Sequence, residues 1–223
     1  MSASGWYINT MNLLQPTPSA TLTDIDDLTD FLRDDDQLSE NAVKNDSFID
    51  KKIKQLHITE SVITKTDFTQ ASIEHLDVLD TIFTGCNFTA SKLPNSSWHV
   101  ALIDGARCSG TMLSNSVFKN VTFKNSKLEL VNFRFSRLEN IVFDGCVIDD
   151  ADFYNATLKN VEFINCTVNS VTFASARMSN VDISKSQIEG IKGVNSLKGV
   201  MISYDQLLQI APLLAVEAGI KII

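Results

Sequence analysis

Every fifth residue from Phe48 to Ile188 is apolar or cysteine, in 29 consecutive positions without one change of phase. Eleven of the 13 phenylalanines fall on this grid. A period of five matches neither the 3.6 of a helix nor the 2 of a strand. Sustained over this length, it specifies a repeat architecture.

A second register lies two residues before each centre and is mostly small or β-branched, as at Ser61, Thr66, Ala71, Cys86, Ser91, Ala101, Ser116 and Val121. Two inward residues separated by one outward residue make a short strand. Two residues after each centre, Gly or Asn recurs: Gly85, Asn95, Gly105, Asn115, Asn120, Asn140, Asn160 and Gly190 among others. These types tolerate positive φ, so each pentad carries its own turn and the chain winds into a coil.

Pentads such as Ala151-Asp152-Phe153-Tyr154-Asn155 and Val161-Glu162-Phe163-Ile164-Asn165 resemble the pentapeptide-repeat family, over about two-thirds of the chain. The resemblance implies an all-β solenoid: a right-handed quadrilateral β-helix with four pentads per turn. The grid then spans about seven coils and, at roughly 4.8 Å per coil, a rod about 35 Å long. Stability becomes close to a nearest-neighbour sum, and the ends need caps. Trp98, Cys108 and Pro94 mark the weakest stretch, Lys92 to Gly110, where a local bulge is expected.

Three segments follow. Residues 1–45 lie outside the grid and form either an acidic interaction arm or a partly ordered strap over the open first coil, with Ile25, Leu28 and Phe31 or Leu32 suggesting a short helix. Residues 46–202 are the β-helix. Residues 203–223 hold a helix with a capping-box spacing at Ser203 and Gln206, an internal Pro212 expected to kink or split it, a stop at Gly219, and an extended tail; part of this apolar helix is expected to cap the last coil. This ending is similar to the C-terminal module of bacterial quinolone-resistance members. That resemblance implies a homodimer through Leu207, Leu208, Ile210, Leu213 and Leu214.

The formal charge of −8 is carried by residues 1–50, which hold ten acids against Arg33 and Lys44; the rest is balanced, with 17 acids and 17 bases. Folded onto four faces, the Phe48 face exposes Asp50, Asp67, Glu129, Asp149, Asp150 and Glu189 against Arg107 and Lys127. The next face is mildly basic, with Lys52, Lys54, Lys92 and Arg134 against Glu74 and Asp152. No basic stripe interleaved with aromatics argues for direct nucleic-acid binding. No apolar run is long enough to span a membrane, and no basic region leads into an apolar core at the N-terminus, so a cytoplasmic, bacterial protein is expected.

The cysteines occupy inward registers and are read as buried filler, with Cys146 and Cys166 in neighbouring coils. His57, His75 and His99 fall outside on separate coils. There is no phosphate-cradling loop and no metal-ligand spacing, so neither catalysis nor a cofactor is expected. What remains is a binding surface. Arg134 and Tyr154 occupy equivalent outward positions in adjacent coils, with Phe135 beside them, an arrangement resembling an interaction hot spot. Asn120, Asn140, Asn160 and Asn180 stack as a structural ladder. The expected function is a non-catalytic protein-interaction solenoid. The alternative, implied by the family resemblance, is a DNA mimic acting on a type II topoisomerase, supported by the acidic face with Glu129, Asp149 and Asp150.

Overall fold

In the computed structural model, residues 13–25, 27–28 and 36–221 are described. The chain forms a β-solenoid of about eight turns closed by one C-terminal helix. Strands run from β1 (Thr23–Ile25), β2 (Asp36–Ser39) and β3 (Asn41–Lys44) to β12 (Arg177–Glu189), and the helix α1 spans Tyr204–Glu217. Among the described residues all pairings are parallel. Through most of the repeat the register advances by four pentads per step, as in Val78↔Trp98 and Trp98↔Phe118. Four pentads therefore make one coil, and every fourth centre stacks on the same one of four faces. We call these the first (Phe48), second (Phe133), third (Phe118) and fourth (Phe143) faces.

The corners follow from the backbone. The residue two after each centre takes positive φ at almost every corner: Asn115 at 58°, Asn140 at 56°, Gly145 at 64°. On the first two faces the centre carbonyl then accepts from the N–H three positions on, as in Ser91 N–H to Phe88 O at 3.0 Å. Between coils, the N–H of the centre donates to the carbonyl just before the next centre on its face, as from Phe88 to Arg107 at 2.6 Å.

The interior stacks like on like. Phe143 lies 5.1 Å from Phe123 and 4.8 Å from Phe163, and Phe153 lies 4.9 Å from Phe133, all near parallel. The small register compensates for the large one on the third face. Leu56 and Leu76 are buried beside the smaller centres Ile58 and Val78, while Ser96 and Ser116 accompany Trp98 and Phe118. The serine hydroxyls link at 2.9 Å, and Trp98 Nε1 donates to Ser96 Oγ at 2.8 Å, so the buried polar atoms are satisfied.

No bulge interrupts Lys92 to Gly110: the register through β6 (Ser72–Thr84), β7 (Ser97–Asp104) and β8 (Val117–Lys124) is continuous. Pro94 sits one residue after its centre. At the same place in later coils the Arg134 and Tyr154 N–H groups donate to the Asn132 and Asp152 side chains. The missing donor of Pro94 thus costs the ladder nothing. The small Cys108 leaves a void of about 20 Å³ against Trp98 and Phe118 instead. The register shifts occur later, where Ile164 pairs with Lys185.

The expected boundary at residue 46 falls inside the ladder. Leu38 and Val43 continue the five-residue grid backwards and pair with Ile58 and Ile63. Strand β1 adds one more rung, with Ile25 opposite Val43, a step shorter than a full coil. Ile25 is thus in a strand, not in the short helix expected around it; Phe31 and Leu32 lie outside the described residues. Leu28 is buried, and its N–H donates to Asp46 Oδ2 at 2.6 Å.

At the other end α1 runs unbroken through Pro212. Pro212 lies on the exposed side of the helix, where the donor it lacks is missing from no buried contact. The capping box is complete: Ser203 N–H donates to Gln206 Oε1 at 2.7 Å and Gln206 N–H to Ser203 Oγ at 3.2 Å. Gln206 is also buried, and its Nε2 donates to Ile183 O at 2.8 Å and Ser186 O at 2.7 Å. Those carbonyls belong to the last coil and have no next coil to bond to. Replacing Gln206 by Ala should lower stability by about 1–3 kcal/mol in denaturant unfolding, and Gln206→Leu should not rescue it.

All four cysteines are free and buried. Burial pushes the Cys86 thiol up to about 11 and that of Cys108 to about 12. A hydrogen bond with Cys166, together with burial, raises Cys146 as well. A thiol raised on folding contributes stability below its unfolded pKa, and that contribution is lost as pH rises through the folded value. Stability should therefore fall between about pH 9 and 12. The Cys108→Ala variant should show a shallower fall in equilibrium denaturation across that window.

Candidate interaction surface

The second face holds the clearest side-chain constellation on the outside of the rod. Arg134 and Tyr154 each follow a buried Phe centre, so strand alternation turns both outward, one coil apart. Asp152 N–H and carbonyl bonds lock the two backbones in register, together with Phe135 N–H to Tyr154 O at 3.0 Å. The Arg134 guanidinium carbon lies 4.7 Å from the Tyr154 ring centre and 5.7 Å from that of Phe135. The two rings meet edge to face at 5.7 Å. Arg134 Nη1 reaches Asp152 Oδ2 at 3.6 Å. The guanidinium is held by two rings and a carboxylate, with 43 % of its side chain still exposed.

Phe135 occupies a corner with φ of 62° and is 46 % exposed. Leu130, at the preceding corner of the same coil, has φ of 55° and is 64 % exposed. Bulky residues are disfavoured in this region by about 1–2 kcal/mol each. The neighbouring corners use Asn115 and Asn155. One coil therefore carries two large apolar side chains at strained positions flanking Arg134.

The first face brings part of the expected acidic group together. Glu129 and Asp149 share a column one coil apart; Glu129 accepts from Ser109 Oγ at 2.9 Å and Asp149 from Asn169 Nδ2 at 2.9 Å. Asp150 sits at the corner and pairs with Lys192 at 3.5 Å, so it is partly neutralised.

The expected dimer residues separate into two groups. Ile210 is buried in the chain's own core, and Leu214 packs against that core; both belong to the cap. Leu207, Leu208 and Leu213 are 40 %, 57 % and 42 % exposed. Helical spacing puts Gln206, Ile210 and Leu214 on one face, which is the reason Ile210 is unavailable to a second subunit.

The asparagine ladder is present. Asn140, Asn160 and Asn180 each donate through Nδ2 to the previous Asn Oδ1 at 3.1, 2.9 and 3.0 Å. His57 Nδ1 lies 3.2 Å from Asp77 Oδ2, and both line a shallow depression with His99. Among the described residues no three His, Cys, Asp or Glu are grouped to hold a metal ion, and no helix is long and apolar enough to cross a membrane. Sequence periodicity did not reveal that Glu162 and Asp182, both at outward positions, are buried. Their cover comes from segments outside the repeat, which a repeat-based count of inside and outside does not see.

Residues 116–192 match the model of the pentapeptide repeat region, and residues 81–120 match the model of eight pentapeptide repeats. Together these spans take in half of the chain. The chain belongs to the pentapeptide-repeat proteins. No curated protein matches this pentapeptide-repeat protein in sequence. Among solved structures it is similar to HetL, a pentapeptide-repeat protein involved in heterocyst differentiation regulation in the cyanobacterium Nostoc sp. strain PCC 7120. The identity is 15 %, the TM-score 0.39, and the match covers 77 % of this chain and 91 % of HetL. It is also similar to full-length QnrB1, a plasmid-mediated fluoroquinolone resistance protein, at 16 % identity and a TM-score of 0.33, covering 78 % and 99 % of the two chains. Such values transfer no residue role to this chain.

Replacing Phe135 by Asn, the residue used at the neighbouring corners, should raise the stability of this pentapeptide-repeat protein by about 0.5–1 kcal/mol in denaturant titration. A loss of stability would show that the Phe135–Tyr154 contact outweighs the corner strain.

Proposed function

We propose that this protein is a non-catalytic interaction solenoid that binds a protein partner through the second face, with Arg134, Phe135 and Tyr154 at the centre. The observation that supports this reading is Phe135 itself. A large aromatic residue is kept exposed, in a backbone region that disfavours it, against an arginine oriented by two rings. Exposed Arg and aromatic side chains with restricted rotamers are the types that dominate interface energetics. Leu207, Leu208 and Leu213 of α1 give a second apolar surface, which we assign to a homodimer contact.

A second reading rests on the column of Glu129 and Asp149 with Asp150 beside it: a surface that occupies the DNA groove of a type II topoisomerase, as the resemblance to quinolone-resistance members implies. The Lys192 contact to Asp150 and the charge balance beyond residue 50 weaken it.

The two readings separate in one set of assays. Partner capture should drop by about tenfold or more on Arg134→Ala or on Phe135→Ser with Tyr154→Ser, each a loss of about 1.4 kcal/mol or more, with an unchanged circular dichroism spectrum. The topoisomerase reading requires inhibition of gyrase supercoiling or relief of quinolone poisoning that is lost on Glu129→Gln with Asp149→Asn. Inactivity of the native protein in both gyrase assays removes it. Leu207→Glu with Leu208→Glu should convert a dimer to a monomer in sedimentation analysis, leaving the solenoid folded.

A further inference from the structure

The fourth face has an unusual exterior. One residue before each centre it presents Val62, Ile82, Leu102, Thr122 and Val142, one per coil, followed by Glu162. Outward positions of a solenoid facing water are expected to be polar. Here five coils in a row carry β-branched or apolar side chains, all of them half-buried, and Glu162 is only 8 % exposed.

The cover is the chain's own N-terminal segment. Leu13 is buried at 8 % exposure although it belongs to no helix or strand. With Gln15 it lines a cavity against Leu102, Thr122, Val142 and Ile164. Further along, Thr17 N–H donates to Asp80 Oδ1 at 2.5 Å and Thr17 Oγ1 to Asp80 Oδ2 at 3.4 Å. The segment then joins the first rung at Thr23. Residues 13–18 therefore run along the rod axis, across the strands, from the level of Val142 back to that of Ile82. Pro16 and Pro18 keep such a segment extended at low entropic cost.

This contact is of a different kind from the ladder. Residues 13–19 are not in a strand, and among the described residues the anchor is Leu13 together with the Thr17–Asp80 pair. The cavity that Leu13 and Gln15 line with the fourth face measures about 280 Å³, so among the described residues the side chains do not fill the track. A contact that is self-occupied, incompletely packed and free of strand pairing is weak enough to open while the solenoid stays folded.

We propose that the outer stripe of the fourth face is a docking track for an extended, leucine-anchored, proline-containing peptide, and that residues 13–18 of this chain are its resident, releasable occupant. Any partner using this face must present the same chemistry and displace the strap. The track lies on the side of the rod opposite Arg134 and Phe135, so it does not depend on the function assigned to that patch.

The test uses the full chain carrying Val142→Cys. The four native thiols are buried and give a slow background towards a soluble maleimide. Leu13→Asp, which puts a carboxylate against Asp144 and Glu162, should speed labelling of the introduced thiol by about tenfold or more. A control thiol at Val117→Cys, on the third face, should label at the same rate with or without Leu13→Asp. A synthetic peptide of residues 13–21, added to the Leu13→Asp form, should restore protection at the Val142→Cys site. The same peptide with Leu13 replaced by aspartate should not. Unchanged labelling on Leu13→Asp would overturn the idea that the strap covers the track. Faster labelling without protection by the native peptide would overturn the idea that the track binds such a segment.

Discussion

The parallel hydrogen bond between coils, from the N–H of a centre to the carbonyl just before the next centre on the same face, is the constraint on which everything else depends. It forms only if each coil closes in the same number of residues. Closure is achieved by a left-handed corner after nearly every pentad. Once coil length is constant, side chains one coil apart must stack, and stacked positions must be compatible in size. The phenylalanine columns and the asparagine ladder are consequences of that one periodic bond. It also explains the tolerance of Pro94, whose missing donor falls at a position the ladder leaves to side chains.

An axial ladder has two open ends, and the chain treats them differently. At the C-terminal end the Met201 backbone bridges to the last coil, and Gln206 uses both functions of its amide, accepting from the Ser203 N–H and donating to two orphan carbonyls of that coil. Ile210 and Leu214 supply the apolar part of the cap. At the N-terminal end the ladder continues through β3, β2 and β1, the last with a shortened step, and Leu28 is buried on Asp46. The chain before β1 is then free to return along the outside of the rod.

The exterior is where function must be sought, because the interior is filled by side chains. The second and fourth faces both depart from a plain solvated surface. The second departs through strain and exposure, at Leu130 and Phe135. The fourth departs through outward apolar residues covered by a strap. Both departures break a local preference of the repeat, and such breaks are where a functional role is to be looked for.

The five-residue grid of Phe48 to Ile188 was enough to read a coiled repeat with inward cysteines, and the resemblance to the pentapeptide-repeat family supplied four pentads per turn, and with it the four faces and the contact between Arg134 and Tyr154. All of these follow from a strictly periodic pairing, in which sequence position determines spatial position. What the sequence did not reveal lies where the period stops. The extension of the ladder back through Val43 and Leu38, the unbroken passage of α1 through Pro212, the diversion of Ile210 into the cap, and the course of residues 13–18 over Val142 depend on contacts between segments with no fixed register. Those contacts are decided by which surface remains unburied once the coils have stacked, and that is a property of the tertiary structure alone.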